Sequence, residues 1–89
     1  MRRSYLVSGM VQGVGFRYFT CREGRRIGVT GWVRNLDDGR VEALAEGTDE
    51  QLEEFERALG RGPAGASVTN VHISNTLNEI PILIRFEIQ

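Results

Sequence analysis

The sequence predicts an α+β domain in which two helices cover one face of a mostly antiparallel sheet. Three observations carry that expectation. Alternating runs of strand formers recur along the chain, two amphipathic helical stretches separate them, and no linker or repeat interrupts the series. The resulting order is β-α-β-β-α-β with a final strand appended, the split β-α-β arrangement of a two-layer sandwich. At 89 residues there is room for one such domain, spanning residues 1–89.

The first strand is expected over Ser4 to Val11, where "SYLVSGMV" alternates. "QGVG" breaks it, and "FRYFTCREGRRIG" reads as a helix from Phe16, with Ile27 still on its apolar face and Gly28 as C-cap. Gly24 inside that helix should cost about 1 kcal/mol relative to alanine. "TGWVRNL" (Thr30 to Leu36), the turn signal "DDG" and "RVEALAE" (Arg40 to Glu46) form a hairpin. In "TDEQLEEFERALG", Thr48 and Gln51 have capping-box spacing, Leu52, Phe55 and Leu59 form the apolar stripe, and Gly60 is expected to end the helix. Glu50, Glu53, Glu54 and Glu56 read as its solvated face. "SVTNVHIS" and "ILIRFEI" are two further strands, with a polar turn expected around Asn75 to Glu79.

Composition removes several function classes. The formal net charge is −1, so no overall basic field points to nucleic acid or a membrane surface. All basic residues are arginine, which excludes lysine Schiff-base chemistry and a Walker-type lysine. One cysteine, Cys21, permits no intrachain disulfide, and together with the single histidine, His72, it cannot build a zinc site. No apolar run approaches membrane-span length and no secretory signal is visible, so a cytoplasmic protein is expected.

What chemistry remains lies at one sheet edge. The "QGVGFR" turn and the "NLDDG" turn fall at the same end of the parallel first and second strands. Along the second strand Gly31, Val33 and Asn35 share a face. If Val33 faces the helices, Asn35 reaches the level at which the first helix begins, beside Arg17. A glycine-containing turn into a helix N-terminus exposes unbonded amides and forms an anion site. Gly13 and Gly15 permit unusual backbone angles and close approach of a ligand. Arg17 stands at the positive end of the helix dipole, a mildly unfavourable place that a bound anion would offset. With no nucleophile, metal set or histidine base nearby, an enzyme here must work by positioning and electrostatics. A carboxyl–phosphate anhydride suits that limit, because its carboxylate leaves without needing a proton.

The segments "GMVQGVGFR" (Gly9 to Arg17) and "GWVRNLDDGRVEALAEG" (Gly31 to Gly47) resemble the two signature segments of the acylphosphatases, and the likeness extends over essentially the whole chain. The resemblance implies a ferredoxin-like sandwich that hydrolyses acyl phosphates without metal or cofactor. It implies that Arg17 and the loop amides of Gln12, Gly13, Val14, Gly15 and Phe16 hold the phosphate, and that Asn35 holds the attacking water. Inorganic phosphate or another anion should occupy the same loop. A monomer acting on a small-molecule acyl phosphate is expected, with no nucleic-acid or membrane partner.

Two other classes compete. An RNA-recognition module shares the element order, and "QGVGFRYF" superficially echoes one of its motifs, but on the wrong element and with Gln12, Val14 and Arg17 at discordant positions. A non-enzymatic anion sensor would use the cradle alone and would not need Asn35.

Overall fold

The structure, a computed structural model, describes residues 1–76 and 85–89. The elements follow as β1 (Arg2–Met10), α1 (Phe16–Ile27), β2 (Thr30–Asn35), β3 (Val41–Glu46), α2 (Asp49–Arg61), β4 (Ser67–Asn75) and β5 (Phe86–Ile88). The five strands form one sheet in the order β4-β1-β3-β2-β5. Three pairings are antiparallel, and β2 pairs with β5 in parallel. The first and second strands are thus parallel with the third between them, as the element order requires.

Register explains which face is dry. Tyr5 lies opposite Ala43, Val7 opposite Val41, and Val33 opposite Ala43 from the other side. All five are buried, and α1 and α2 pack over this face. Leu52, Phe55 and Leu59 supply the α2 stripe, all fully buried. The Phe55 ring meets Tyr5 edge-on and Phe86 at a tilt, both with centroids 5.4 Å apart, separations at which aromatic pairs add to plain area burial. The opposite face carries Trp32, Arg34, Glu42 and the exposed His72. Arg34 pairs with Glu42 and lies 5.0 Å from the Trp32 ring centroid. Among the described residues no second Phe, Tyr or Trp joins Trp32 on that face, so it lacks the paired stacking platform of an RNA-recognition sheet.

Several boundaries and roles differ from expectation. The strand β1 starts earlier, at Arg2, and Val11 has left it to pack in the core. Helix α2 does not stop at Gly60. It runs to Arg61 and is capped by Gly62, because Ala58 and Leu59 still bury against the core and hold the last turn. Asn75 belongs to β4, where it pairs with Arg3, and is not in a turn. The expected strand over 82–88 is seen as Phe86–Ile88; residues 82–84, like positions 77–79 of the expected polar turn, lie outside the described residues.

Glu56 is not solvated. Its Oε2 accepts from Arg3 Nη1 at 2.7 Å and from the Tyr5 hydroxyl at 2.9 Å, tying α2 to β1. Burial, with the Glu56 hydrogen bond second, pushes the Tyr5 hydroxyl far above the usual tyrosine range. Gly24 proves to be a packing necessity. A Cβ there would sit 2.8 Å from two ring carbons of Phe86, so the missing side chain lets α1 lie flat on β5.

Candidate active site

The turn after β1 and the start of α1 form an open cradle. Gly13 (φ 77°) and Gly15 (φ 76°) both adopt left-handed backbone, and a Cβ at either would meet nothing within 4 Å. Glycine is therefore required by torsion and not by crowding. The first helical hydrogen bond runs from Phe19 N–H to Gly15 C=O at 3.0 Å. The amides of Phe16, Arg17 and Tyr18 lie ahead of it and have no carbonyl in the ladder. Among the described residues, no backbone carbonyl accepts from the amides of Gly13, Val14 or Gly15 either. Gly15 caps the helix without a side-chain bond, and the first turn contains no acid. Successive amides in such a left-handed turn make an anion-binding concavity.

A cavity of about 240 Å³ opens over these amides. Gln12, Gly13, Gly15, Phe16 and Arg17 line one side and Asn35 the other, with Val11, Tyr18 and Ile88 completing the wall. Parity along β2 thus brings Asn35 to Arg17, as its face-sharing with Val33 requires. Asn35 is the last residue of β2 and half-buried, and among the described residues no group hydrogen-bonds its side-chain amide. Arg17 is exposed. Its Nη1 makes only a long contact, 3.5 Å, to the backbone oxygen of Gln89, and no carboxylate among the described residues pairs with it.

Gln12 and Val14 reach elsewhere with their side chains. The Gln12 Nε2 donates to the carbonyls of Leu36 at 2.7 Å and Arg40 at 2.9 Å, so it stitches the cradle to the turn that follows Asn35. That turn closes on itself through Leu36 N–H to Arg40 C=O and an Arg40–Asp38 ion pair. Arg40, by its hydrogen bonds above all, holds the Asp38 carboxyl below its ordinary range. Val14 packs its side chain against the core and anchors the loop; only its amide is available to a ligand. Tyr18 and Ile88 were not among the expected residues. Tyr18 follows Arg17 and carries a large exposed aromatic, which is a faint signal. Ile88 reaches the wall only through the parallel β2–β5 register, which has no local trace in sequence.

Cys21 is buried, its Sγ donating to the Phe86 carbonyl at 3.4 Å. Among the described residues no three His, Cys, Asp or Glu side chains stand together as a metal ion would require. No helix among them is long and apolar enough to cross a membrane.

Comparison with known proteins identifies the family. The Acylphosphatase family model matches residues 3–88. The acylphosphatase of Syntrophotalea carbinolica is 47% identical over 83 residues, covering 93% of this chain and 89% of that protein. Among solved structures, the acylphosphatase of Bacillus subtilis superposes with a TM-score of 0.89 at 41% identity, covering 99% of this chain and 97% of that one. An acylphosphatase from Coxiella burnetii gives a TM-score of 0.91 at 33% identity, covering 99% and 90% respectively. With the family model matching residues 3–88 and relatives of the family aligned over nearly the whole chain, the chain belongs to the acylphosphatase family.

Proposed function

We propose that the protein hydrolyses acyl phosphates to a carboxylate and inorganic phosphate, with the phosphoryl group seated on the 12–17 loop and Arg17, and the attacking water held by Asn35. The observation that carries the reading is the shared cavity: on one wall, amides without a partner and a guanidinium without a carboxylate among the described residues, and on the other an amide side chain that none of those residues engages. The family and its named relatives support the reaction class.

The chemistry follows from charge and placement. The loop amides and Arg17 face the phosphoryl oxygens, where charge redistributes as the transition state forms. Asn35 offers a carbonyl to accept a water proton and an amino group to donate to another acceptor, so it can fix a water in line with the breaking bond. The water oxygen forms the new bond to phosphorus, and the bridging P–O bond breaks with its electron pair leaving on the carboxylate. One water proton passes to a phosphoryl oxygen of the substrate itself, since among the described residues no side-chain base lines the cavity; the other stays on the new hydroxyl. Atoms balance without a metal or cofactor. The same reading has the protein act as a cytoplasmic monomer on a small-molecule substrate, with no nucleic-acid partner.

Hydrolysis of benzoyl phosphate in excess EDTA tests this. Wild type is expected to turn over. Arg17→Ala should lose about 10³-fold or more in kcat/KM together with inorganic phosphate binding, and Asn35→Ala about 10²-fold or more in kcat while still binding phosphate. Phosphate binding without hydrolysis by wild type would instead make the domain an anion sensor.

A further inference from the structure

Beside the cradle lies a larger groove, about 450 Å³, between α1 and the edge strand β5. Tyr18 and Ile88 line both cavities, so the two adjoin at these side chains. Beyond them the groove is walled by Arg22, Arg25, Arg85 and Glu87. Tyr18, Arg22 and Arg25 recur on one face of α1 at helical spacing. Among the described residues three guanidinium groups thus meet one carboxylate, and that one, Glu87, sits 3.7 Å from Arg85. Arg22 and Arg25 pair with no carboxylate among the described residues.

Neither arginine is simply afloat. The Arg22 guanidinium carbon lies 5.9 Å from the Phe19 ring centroid. Arg25 Nε donates to the Phe86 carbonyl at 2.9 Å, and its terminal nitrogens bond no group among the described residues. Arg22 lies five residues along α1 from Arg17, about 8 Å of helical rise, and Arg25 about 12 Å. An anion bound by these groups would therefore be separated from a phosphoryl group in the cradle by the length of a short acyl chain or one aromatic ring.

We propose that this groove is the subsite for the acyl arm of the substrate, and that it selects acyl phosphates carrying a second negative charge at the far end of the acyl group. The proposal rests on the reading of the cradle as the phosphoryl site. Tyr18 and Ile88 form the apolar neck across which the acyl group lies, and Arg22, Arg85 and the terminal nitrogens of Arg25 receive the distal anion.

Binding separates this proposal from turnover. The probes are benzoylphosphonate and 4-carboxybenzoylphosphonate, non-hydrolysable analogues that lack the bridging oxygen, titrated calorimetrically at low salt. The read-out is the ratio of their two dissociation constants, in which any general weakening of the cradle cancels. In wild type the carboxylate should tighten binding about five- to tenfold, the size expected of partly exposed charge-assisted contacts. Arg22→Gln, Arg25→Gln and Arg85→Gln together should bring the ratio to unity, and Arg22→Glu in place of Arg22→Gln in that set should invert it. A wild-type ratio of one, or an advantage that survives both variants, overturns the subsite. If the carboxylate advantage is present but wild type fails to hydrolyse benzoyl phosphate, the subsite stands and the enzymatic reading falls. If neither phosphonate binds, both fall.

Discussion

The two helices lie side by side on one sheet, yet they begin in opposite ways. Helix α2 opens on a complete capping box: Thr48 Oγ1 accepts from Gln51 N–H at 3.1 Å, and Gln51 Oε1 accepts from Thr48 N–H at 2.9 Å. Asp49 and Glu50 in its first turn suit the positive dipole end. Helix α1 opens on a left-handed glycine, with no side-chain cap, no acid and an arginine in the first turn. Every device that stabilises the start of α2 is missing from the start of α1. The contrast teaches that α1 is left unsatisfied at one end only: its C-terminus is conventional, with Arg25 and Arg26 in the last turn and Gly28 as a left-handed cap. Deficits confined to the end that faces a cavity are where an anion supplies what the chain withholds.

Closing the open end of α1 should give the largest effect. Gly15→Ala keeps every other residue but forces a side chain into left-handed backbone, at about 1–2 kcal/mol. A backbone that relaxes to relieve this strain re-aims the amides, and losing one aligned donor costs about 10²-fold in rate. We expect benzoyl phosphate hydrolysis to fall by roughly that factor or more. Thr48→Ala at the matching end of α2 should leave activity untouched. Equal activity losses in the two variants would erase the distinction between the ends.

Gly24→Ala sharpens the comparison in the middle of α1. Helix propensity alone favours alanine by about 1 kcal/mol. The Phe86 ring 2.8 Å from the added carbon opposes it, and overpacking of that kind costs about 1–3 kcal/mol. The ring is fully buried against Phe55 and has little room to retreat, so a net loss of stability is expected on urea unfolding. Thr48→Ala comes next, at about 1 kcal/mol for a lost cap. A stabilised Gly24→Ala protein would show that β5 packs less tightly on α1 than the contact distance implies.

Much of this was legible in the residues. The capping-box spacing gave the start of α2, the glycine turn gave the start of α1, and parity along β2 carried Asn35 to Arg17 although the two are far apart in sequence. What could not be read depends on contacts between distant segments. Gly24 reads as a flaw until Phe86 is known to lie on it. Gln12 reads as a backbone donor of the cradle, and nothing local shows that its side chain bonds the Leu36 and Arg40 carbonyls. Glu56 reads as one more exposed acid on a polar helix face, because nothing local tells it from Glu53. Ile88 enters the wall through β5, whose parallel pairing with β2 is fixed by packing and not by any turn. Local periodicity reports the face of an element; it does not report what another element brings to that face.

The smallest expected effect concerns the contact that joins the two helices. Glu23 on α1 is buried, and its Oε1 accepts from Arg26 Nη2 at 3.0 Å and from Arg61 Nη2 of α2 at 3.4 Å. These partners, Arg26 first, hold its carboxyl below the ordinary value of 4.5 against the opposing pull of burial. The folded state therefore binds this proton less readily than the unfolded chain does. The stabilisation is complete above the ordinary carboxylate range and is lost as pH falls through 4.5 toward the lower folded value. Both arginines are largely exposed, so the pair should contribute less than about 1 kcal/mol. Glu23→Gln should lower stability slightly at neutral pH and flatten the decline between about pH 5 and 3 in urea titrations. Its kcat should not change, since Glu23 faces the helix pair and lies outside the cavity. An undiminished acid slope in Glu23→Gln would move the acid-sensitive link to another carboxylate.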